Sequence, residues 1–326
     1  MDMISAIHNA VKNDLVRPDW MNSVPAIHKE TVRPNFGLNK KLKGYFEVVS
    51  DLCDDEIDVL ENALTKQNEI EQLLAANAAC DCASDFHAMA LEKLAELMKY
   101  AFKKLTDFGI RDTHYKAIYD SLSAKVCPFC GCEEFDSPKS KREDLDHYIP
   151  ISLYPFAGSN LRNLAPMGMK CNERYKGANN ILKDGADNTR SAFDPYLNET
   201  AKLSLINSAP LQVDAMRPDW DIQLIGDNDK VTTWDDVFDI RRRWKDDVLD
   251  VNYSNWITAF VAYCRDSSPT DIGTLITQLD NYILFLEVEG LNDKAFLKLA
   301  TFKMIHHHCN NGDDELIAFM LNTLRN

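Results

Sequence analysis

Asp146 and His147 stand side by side in LDHYIP, and together they offer the two groups that phosphodiester hydrolysis asks for. A carboxylate can hold a divalent cation against a phosphate, and an imidazole can take the proton from an attacking water. On a β-strand, neighbouring side chains point to opposite faces, so base and metal ligand need not compete for one position, and Pro150 ends the pairing. An isolated Asp-His dipeptide is nonetheless more often a surface turn than a reaction centre. Upstream, Cys127 and Cys130 form a C-x-x-C turn whose spacing lets two thiolates meet one zinc ion, with Pro128 stiffening the loop and Gly131 relieving it. The same spacing serves redox chemistry, so alone it leaves both readings open. Downstream, NLRNLAPMGMKCNERYKG supplies Asn163, another thiol at Cys171, the amide of Asn172 and the cations Lys170, Arg174 and Lys176.

Taken in order, these segments resemble the HNH (ββα-metal) endonuclease family, in its bacterial defence-type members with a zinc-knuckle C-x-x-C. There a cysteine pair precedes a D-H-x-x-P strand, and an Asn-Leu segment leads through a second cysteine site to a C-N pair opening a helix. The likeness runs from about Val126 to Lys176, roughly a sixth of the chain, and several separate elements occur in the right order. It implies that His147 is the general base, that Asp146 and Asn172 hold a catalytic Mg²⁺ or Mn²⁺, and that Asn163 pins the loop between strand and helix. Lys170, Arg174 and Lys176 would meet phosphate. Cys127, Cys130 and Cys171 would hold a structural Zn²⁺. Cleavage would leave 5′-phosphate and 3′-hydroxyl ends.

Two departures from the pattern stand out. The second cysteine pair of the family is C-x-x-C-N, but its first position here is Gly168, which puts a four-thiolate zinc site in doubt and leaves Cys132 as a possible completing ligand. Lys176 follows Asn172 by four residues where three is commoner. The function implied is a DNA endonuclease of bacterial anti-phage or mobile-element defence, acting with a partner protein such as an ATPase or sensor subunit. The alternatives are a catalytically silent zinc-knuckle scaffold, or an RNase.

The elements that must position these residues read as α+β, mostly α-helical: a small central ββα-metal module between helical segments, with one β-hairpin. Boundaries fall at 1–120, 121–200 and 201–326. Residues 1 to about 50, with Pro18, Pro25 and Pro34, suggest an irregular arm or short helices laid over another surface. Ile57, Leu60, Leu64, Ile70 and Leu73 recur at helical spacing from Asp54 to Asn77. A second helix runs from about Asp85 to Gly109, and the two should form a hairpin; residues 111–124 read as a shorter helix. DWDIQLIGDNDKVTTW alternates around a Gly-Asp-Asn-Asp turn and predicts a β-hairpin. Four helices follow.

Several features are read as packing. Trp234, Phe238 and Trp244 lie near helical spacing and predict core. AFDPY after Arg190 resembles a segment that follows the motif in some family members, and also reads as packing. His306, His307 and His308 point about 100° apart on a helix and cannot converge on one ion. Cys80 and Cys82 read as plain thiols.

Composition sets the limits. Nine cysteines is an odd count in 326 residues without an export-like N-terminus, which points away from a disulfide framework and towards a cytoplasmic protein. No apolar run is long enough for a membrane span. A net charge of −15 is the wrong sign for coating nucleic acid by bulk electrostatics. Between Ser121 and Arg190, however, ten Lys and Arg stand against nine Asp and Glu, with Lys139, Lys141 and Arg142 before the motif and Arg162 within it. Any phosphate contact should be local to this stretch.

Overall fold

Helix-forming stretches dominate the computed structural model, which describes residues 1–13, 19–140, 145–197, 199–211, 217–267 and 269–325. Pro18, Lys141 and Arg142 lie outside the described residues. The chain divides into two units, Met1–Ser121 with Ser137–Leu197 and Leu122–Asp136 with Asn198–Asn326. Among the described residues, strands form only two short antiparallel pairs. No helix is long and apolar enough to cross a membrane.

The first unit carries α1 (Asp2–Lys12), α2 (Ala26–Val32), α3 (Phe36–Val49), α4 (Asp54–Lys66), α5 (Ile70–Leu74), α6 (Ala88–Asp107) and α7 (Ile110–Ser121). Of the two readings of the first fifty residues, the described part takes the helical one and not that of an irregular arm. Ile4, Ile7, Leu42, Tyr45 and Val49 share one core with Ile57, Leu60, Leu94 and Leu97. Pro25 and Pro34 sit at helix entrances: Pro25 caps α2, and Pro34 precedes Asn35, whose Oδ1 accepts the Leu38 N–H at 3.1 Å to start α3. A polar strut crosses this core, with His8 Nδ1 2.6 Å from Glu61 Oε2 and His8 Nε2 2.8 Å from the Tyr45 hydroxyl.

The single helix expected from Asp54 to Asn77 is broken after Lys66. Gln67 is fully buried and bridges two other segments, donating to Asp81 O at 2.8 Å and accepting from Phe156 N at 2.9 Å. Asn68 Nδ2 donates back to Leu64 O at 2.8 Å, which closes α4 by satisfying a terminal carbonyl. Nor do α4 and α6 form the expected hairpin, since α6 lies against α3. It ends at Gly109, whose φ of +68° suits a residue without Cβ.

Strand β1 (Leu145–His147) pairs antiparallel with β2 (Leu164–Pro166), placing Asp146 opposite Ala165 and His147 opposite Leu164. A π-helical turn, Lys170–Lys176, follows. Beneath the pair, Leu145 and Leu164 pack on Tyr115 of α7, with Phe102 and Leu105 of α6 at the margin.

In the second unit, β3 (Lys202–Ser204) pairs with β4 (Gln223–Ile225), followed by α8 (Asn228–Phe238), α9 (Ile240–Arg243), a π-helical turn Trp244–Leu249, α10 (Asp250–Tyr263), α11 (Ile272–Glu289), α12 (Ala295–Asn310) and α13 (Asp314–Arg325). The hairpin expected over DWDIQLIGDNDKVTTW is only half strand. β4 finds its partner upstream, and Asp227 caps α8 by accepting from Asp229 N and Lys230 N, each at 3.1 Å. A side-chain oxygen placed to take those amides starts a helix where alternation alone suggested a turn.

Candidate reaction centre and metal centre

The loop from β1 to β2 is held by one side chain. Asn163 is fully buried; its Oδ1 accepts the Ile149 N–H at 2.7 Å, and its Nδ2 donates to Ile149 O at 3.0 Å and Ala157 O at 3.3 Å. Its carbonyl accepts from Tyr148 N at 2.9 Å. Asn163 therefore clamps the strand-to-strand loop, one connection earlier than the strand-to-helix loop expected, and its amide is occupied by backbone. Phe156 carries the same loop into the helical core, where its ring lies 5.9 Å from Phe86.

His147 is 8% exposed and rests on the Phe102 ring at a centroid distance of 4.4 Å. Its Nε2 is 2.8 Å from Gly158 O, and a carbonyl can only accept, so the neutral ring carries its proton on Nε2 and its lone pair on Nδ1. Burial holds this imidazole below the ordinary histidine pKa; the Gly158 bond and Asp146 oppose the shift, and Lys176 and Arg111 add to it. The Arg111 guanidinium lies 4.4 Å from the Phe102 centroid, on the ring that supports His147.

Asp146, between the two buried residues of β1, keeps 20% of its side chain exposed. Its Oδ2 is shielded from solvent and accepts no aligned hydrogen bond. Lys176 Nζ nevertheless lies 2.8 Å away and also donates to Gly177 O at 3.2 Å. The two observations agree if the contact is a charge contact of poor angle. Lys176 is 2% exposed, so it neutralises Asp146 in place of the phosphate-facing role expected for it, whereas Lys170 and Arg174 are exposed.

Asn172 is half-buried on the π-helical turn, and its carboxamide makes no hydrogen bond to any described residue. The Gly177 N–H reaches Asn172 O at 2.8 Å, five residues back, which marks a turn holding one residue more than an α-turn. The unusual Asn172-to-Lys176 spacing is this extra residue.

The cysteine turn is a tight antiparallel loop closed by a bridge between Val126 and Glu134. Gly131 N donates to Cys127 O at 2.8 Å, Cys127 N to Glu133 O at 2.7 Å, and Cys132 N to Cys130 Sγ at 3.4 Å. Gly131 has φ +67°, and a Cβ there would meet the Phe296 ring at 3.1 Å. Two indoles hold the turn: Trp234 Nε1 donates to Phe129 O at 2.7 Å, and Trp244 Nε1 to Cys130 O at 3.0 Å. Phe129 stacks on Phe238 at 5.0 Å. The aromatic stripe read as core is therefore core with a task, and nothing local in the sequence ties it to a loop a hundred residues away.

Cys127, Cys130 and Cys171 are buried thiols. On the turn itself, the ligand atoms of Cys127, Cys130 and Glu133 lie within 4.8 Å of one another, a group that could bind a metal ion. Thiols with a carboxylate suit zinc. Cys132 is outside that group. Glu133 was not singled out in the sequence, although its place three residues after Cys130 was a readable signal.

The remaining residues read from sequence are accounted for locally. Arg162 grips Asp194 through Nη1–Oδ1 at 3.2 Å and Nη2–Oδ2 at 2.6 Å and lies 4.7 Å over the Tyr196 ring. The Tyr196 hydroxyl bonds to Leu164 O and, at 2.8 Å, to His114 Nε2, so AFDPY packs against the strand pair. His306, His307 and His308 turn to Asp280, Asn311 and Ile206 O respectively. Burial, with Asp81 beside it, pushes the Cys80 thiol up to about 12, that of an unreactive group.

No protein-family model matches the chain, and no solved structure matches it. Protein ea31 of Escherichia phage lambda is similar, at 31% identity over 111 residues that cover 32% of this chain and 34% of the phage protein. The chain thus spans about a third of the length of that curated relative.

Proposed function

We propose that this chain is a metal-dependent endonuclease of the HNH type that hydrolyses phosphodiester bonds of DNA. The observation that carries the reading is the order strand, clamped loop, strand, helical turn, with Asp146 and His147 on the first strand and Asn172 on the turn. The set-up of His147 supports it: a proton fixed on Nε2 by Gly158 O leaves Nδ1 to receive the proton of an attacking water. Burial keeps that ring neutral near pH 7, as a base must be. The Asp146 carboxylate, 20% exposed although its Oδ2 touches the Lys176 ammonium, and the Asn172 carboxamide are the groups that would hold a cation. A Mg²⁺ or Mn²⁺ held there would offset charge on the phosphate oxygens and on the departing 3′-oxygen. Asn163 keeps His147 in register by fixing the loop that carries Gly158, and exposed Lys170 and Arg174 stand nearby in sequence for the backbone.

The acidic balance of the whole chain fits a protein partner, such as an ATPase or sensor subunit, that brings the nucleic acid to the site, as in an anti-phage or mobile-element defence system. A second reading, a silent zinc-knuckle scaffold, is favoured by the buried Lys176 ammonium already paired with Asp146. The full chain incubated with plasmid, linear duplex, single-stranded DNA and RNA, under Mg²⁺, Mn²⁺ or EDTA, separates these. Metal-dependent DNA cutting abolished in His147→Ala is the expected result. Cutting of RNA alone redirects the substrate, and activity undiminished in His147→Ala defeats the assignment.

A further inference from the structure

We propose that the corner between α6 and α7 is the nucleic-acid contact of the reaction centre: Phe108 stacks on an unpaired base, and Lys99 and Lys103 take the backbone phosphates beside it. The identity of the ligand rests on the nuclease reading, and every residue involved lies in the first unit. Helix geometry gives the first step. At about 100° per residue, Leu105 and Lys99 fall about 60° to either side of Phe102, and Lys103 falls about 100° round on the lysine side. Leu105 lies at the margin of the core under the strand pair, and Phe102 carries the His147 ring at 4.4 Å. The face of α6 that leaves the core at His147 therefore runs into two exposed ammonium groups. The acids about one turn away are already engaged, Glu96 by Lys41 at 2.5 Å and Asp107 by Lys104 at 2.9 Å. Neither Lys99 nor Lys103 makes a salt bridge among the described residues.

Charge and exposure give the second step. From Lys99 to Lys116 five Lys and Arg stand against Asp107 and Asp112, in a chain of net charge −15. In the middle of that stretch Phe108 is 70% exposed and Ile110 39%. A single exposed apolar residue is ordinary. Here the backbone beneath it is fixed, with Phe108 N donating to Lys104 O at 3.0 Å and Gly109 N to Thr106 O at 2.9 Å. A Cβ on Gly109 would meet nothing within 4 Å, so the corner faces open space. Arg111 ties it to the centre: Nη1 donates to Thr106 Oγ1 at 3.1 Å, Nη2 donates to Leu145 O at 3.4 Å, and the guanidinium lies on the Phe102 ring. Phe108 follows Phe102 by about 9 Å along the helix, the length of about three stacked nucleotides. An unpaired nucleotide is an anion with flat apolar faces, and it suits a rigidly held ring among cations better than an apolar protein surface does.

Anisotropy of a labelled single-stranded DNA and of the matching duplex, titrated with the full chain in EDTA, reads binding without cleavage. The wild type should prefer the single strand, with an affinity that falls as salt rises. Phe108→Ala should bind that strand about 10–100-fold more weakly at an unchanged salt slope, the range of one base stacked on an aromatic ring. Phe108→Leu, apolar but without a ring face, should lose nearly as much, whereas Phe108→Trp should keep the affinity and add a fluorescence quench on binding. Lys99→Ala and Lys103→Ala should each flatten the logarithmic salt slope by about 0.7. Wild-type affinity in Phe108→Ala, unchanged slopes in both lysine variants, a duplex bound as tightly as the single strand, or no binding by the wild type overturns the proposal. Plasmid cutting measured in parallel keeps the two readings apart. Metal-dependent cutting with binding indifferent to Phe108 defeats the corner alone; binding that needs Phe108, with no cutting, defeats the nuclease reading alone.

Discussion

The strand pair with Asp146 and His147 and the turn with Cys127 and Cys130 are both short, hydrogen-bonded loops, yet they are supported in different ways. The first is tied from within by a side chain of its own stretch, Asn163, which bonds Ile149 and Ala157, and by Gly158, which bonds His147, while Gln67, Asn68, Phe102, Tyr115 and Tyr196 reach it from other segments of the same unit. The second is held from the opposite end of the sequence, by Trp234, Trp244, Phe238 and Phe296. Locally supported sites leave their pattern in one stretch of sequence. A site supported from a distance shows its ligands and hides its frame.

Removing a thiol should have the largest effect on this contrast. Cys127→Ser or Cys171→Ser should abolish stoichiometric zinc, read by metal analysis after dialysis, and lower the thermal midpoint of the loaded chain, since ion binding adds directly to stability. Zinc content equal to wild type in both variants would show that the cluster is not a metal centre.

Next in size is the clamp of the strand pair. Asn163→Ala leaves the Ile149 N–H and two carbonyls without partners in a fully buried site, and should destabilise the first unit by about 3–5 kcal/mol, given 1–3 per orphaned group and some relaxation. Urea unfolding measures it; a loss under about 1 kcal/mol would mean that the loop is not held there. Arg162→Ala should cost less, about 2 kcal/mol, because Asp194 is buried but the guanidinium is 35% exposed and water can partly replace it. The same unfolding assay reads this variant, and a wild-type midpoint counts against the Arg162–Asp194 link.

On the other side of the comparison, Trp244→Phe retains an aromatic ring and removes one indole donor. It should lower stability by about 1 kcal/mol and weaken zinc a few-fold. Zinc affinity unchanged beside a measurable stability loss would confine Trp244 to packing.

The smallest effect concerns pH and lies away from both loops. The hydrogen bond from His8 holds the Glu61 carboxyl below its ordinary range, with Ser5 assisting and partial burial opposing. A depressed folded pKa means that this contribution is present above the unfolded carboxylate range and fades as pH falls through the folded value. Glu61→Gln should therefore flatten the acid side of the stability profile while leaving its neutral part little changed in slope. An acid limb identical to wild type would remove Glu61 from the account.

The helical character was legible because Ile57, Leu60 and Leu64, and Leu91, Leu94 and Leu97, repeat at helical spacing. The break at Gln67 was not, since it depends on backbone groups of Asp81 and Phe156 that no local pattern announces. Residues 1–50 read equally as an irregular arm or as short helices because Pro25 and Pro34, which stand at helix entrances, interrupt the pattern, and the helix α8 was hidden by an alternation that Asp227 overrides. Lys176 was visible as a cation near the motif, but its burial against Asp146 follows from the π-helical turn, which only coordinates reveal.

The proposed chemistry depends on one ring. Rates of DNA cleavage by the full chain, compared for wild type and His147→Ala in Mg²⁺ across pH, test it most directly. Wild-type activity that persists below pH 6.5 before it falls, with no cleavage by the variant at any pH, is the result expected of a neutral, buried imidazole base. Equal cleavage by both proteins, or none by the wild type with any nucleic acid, would contradict the account.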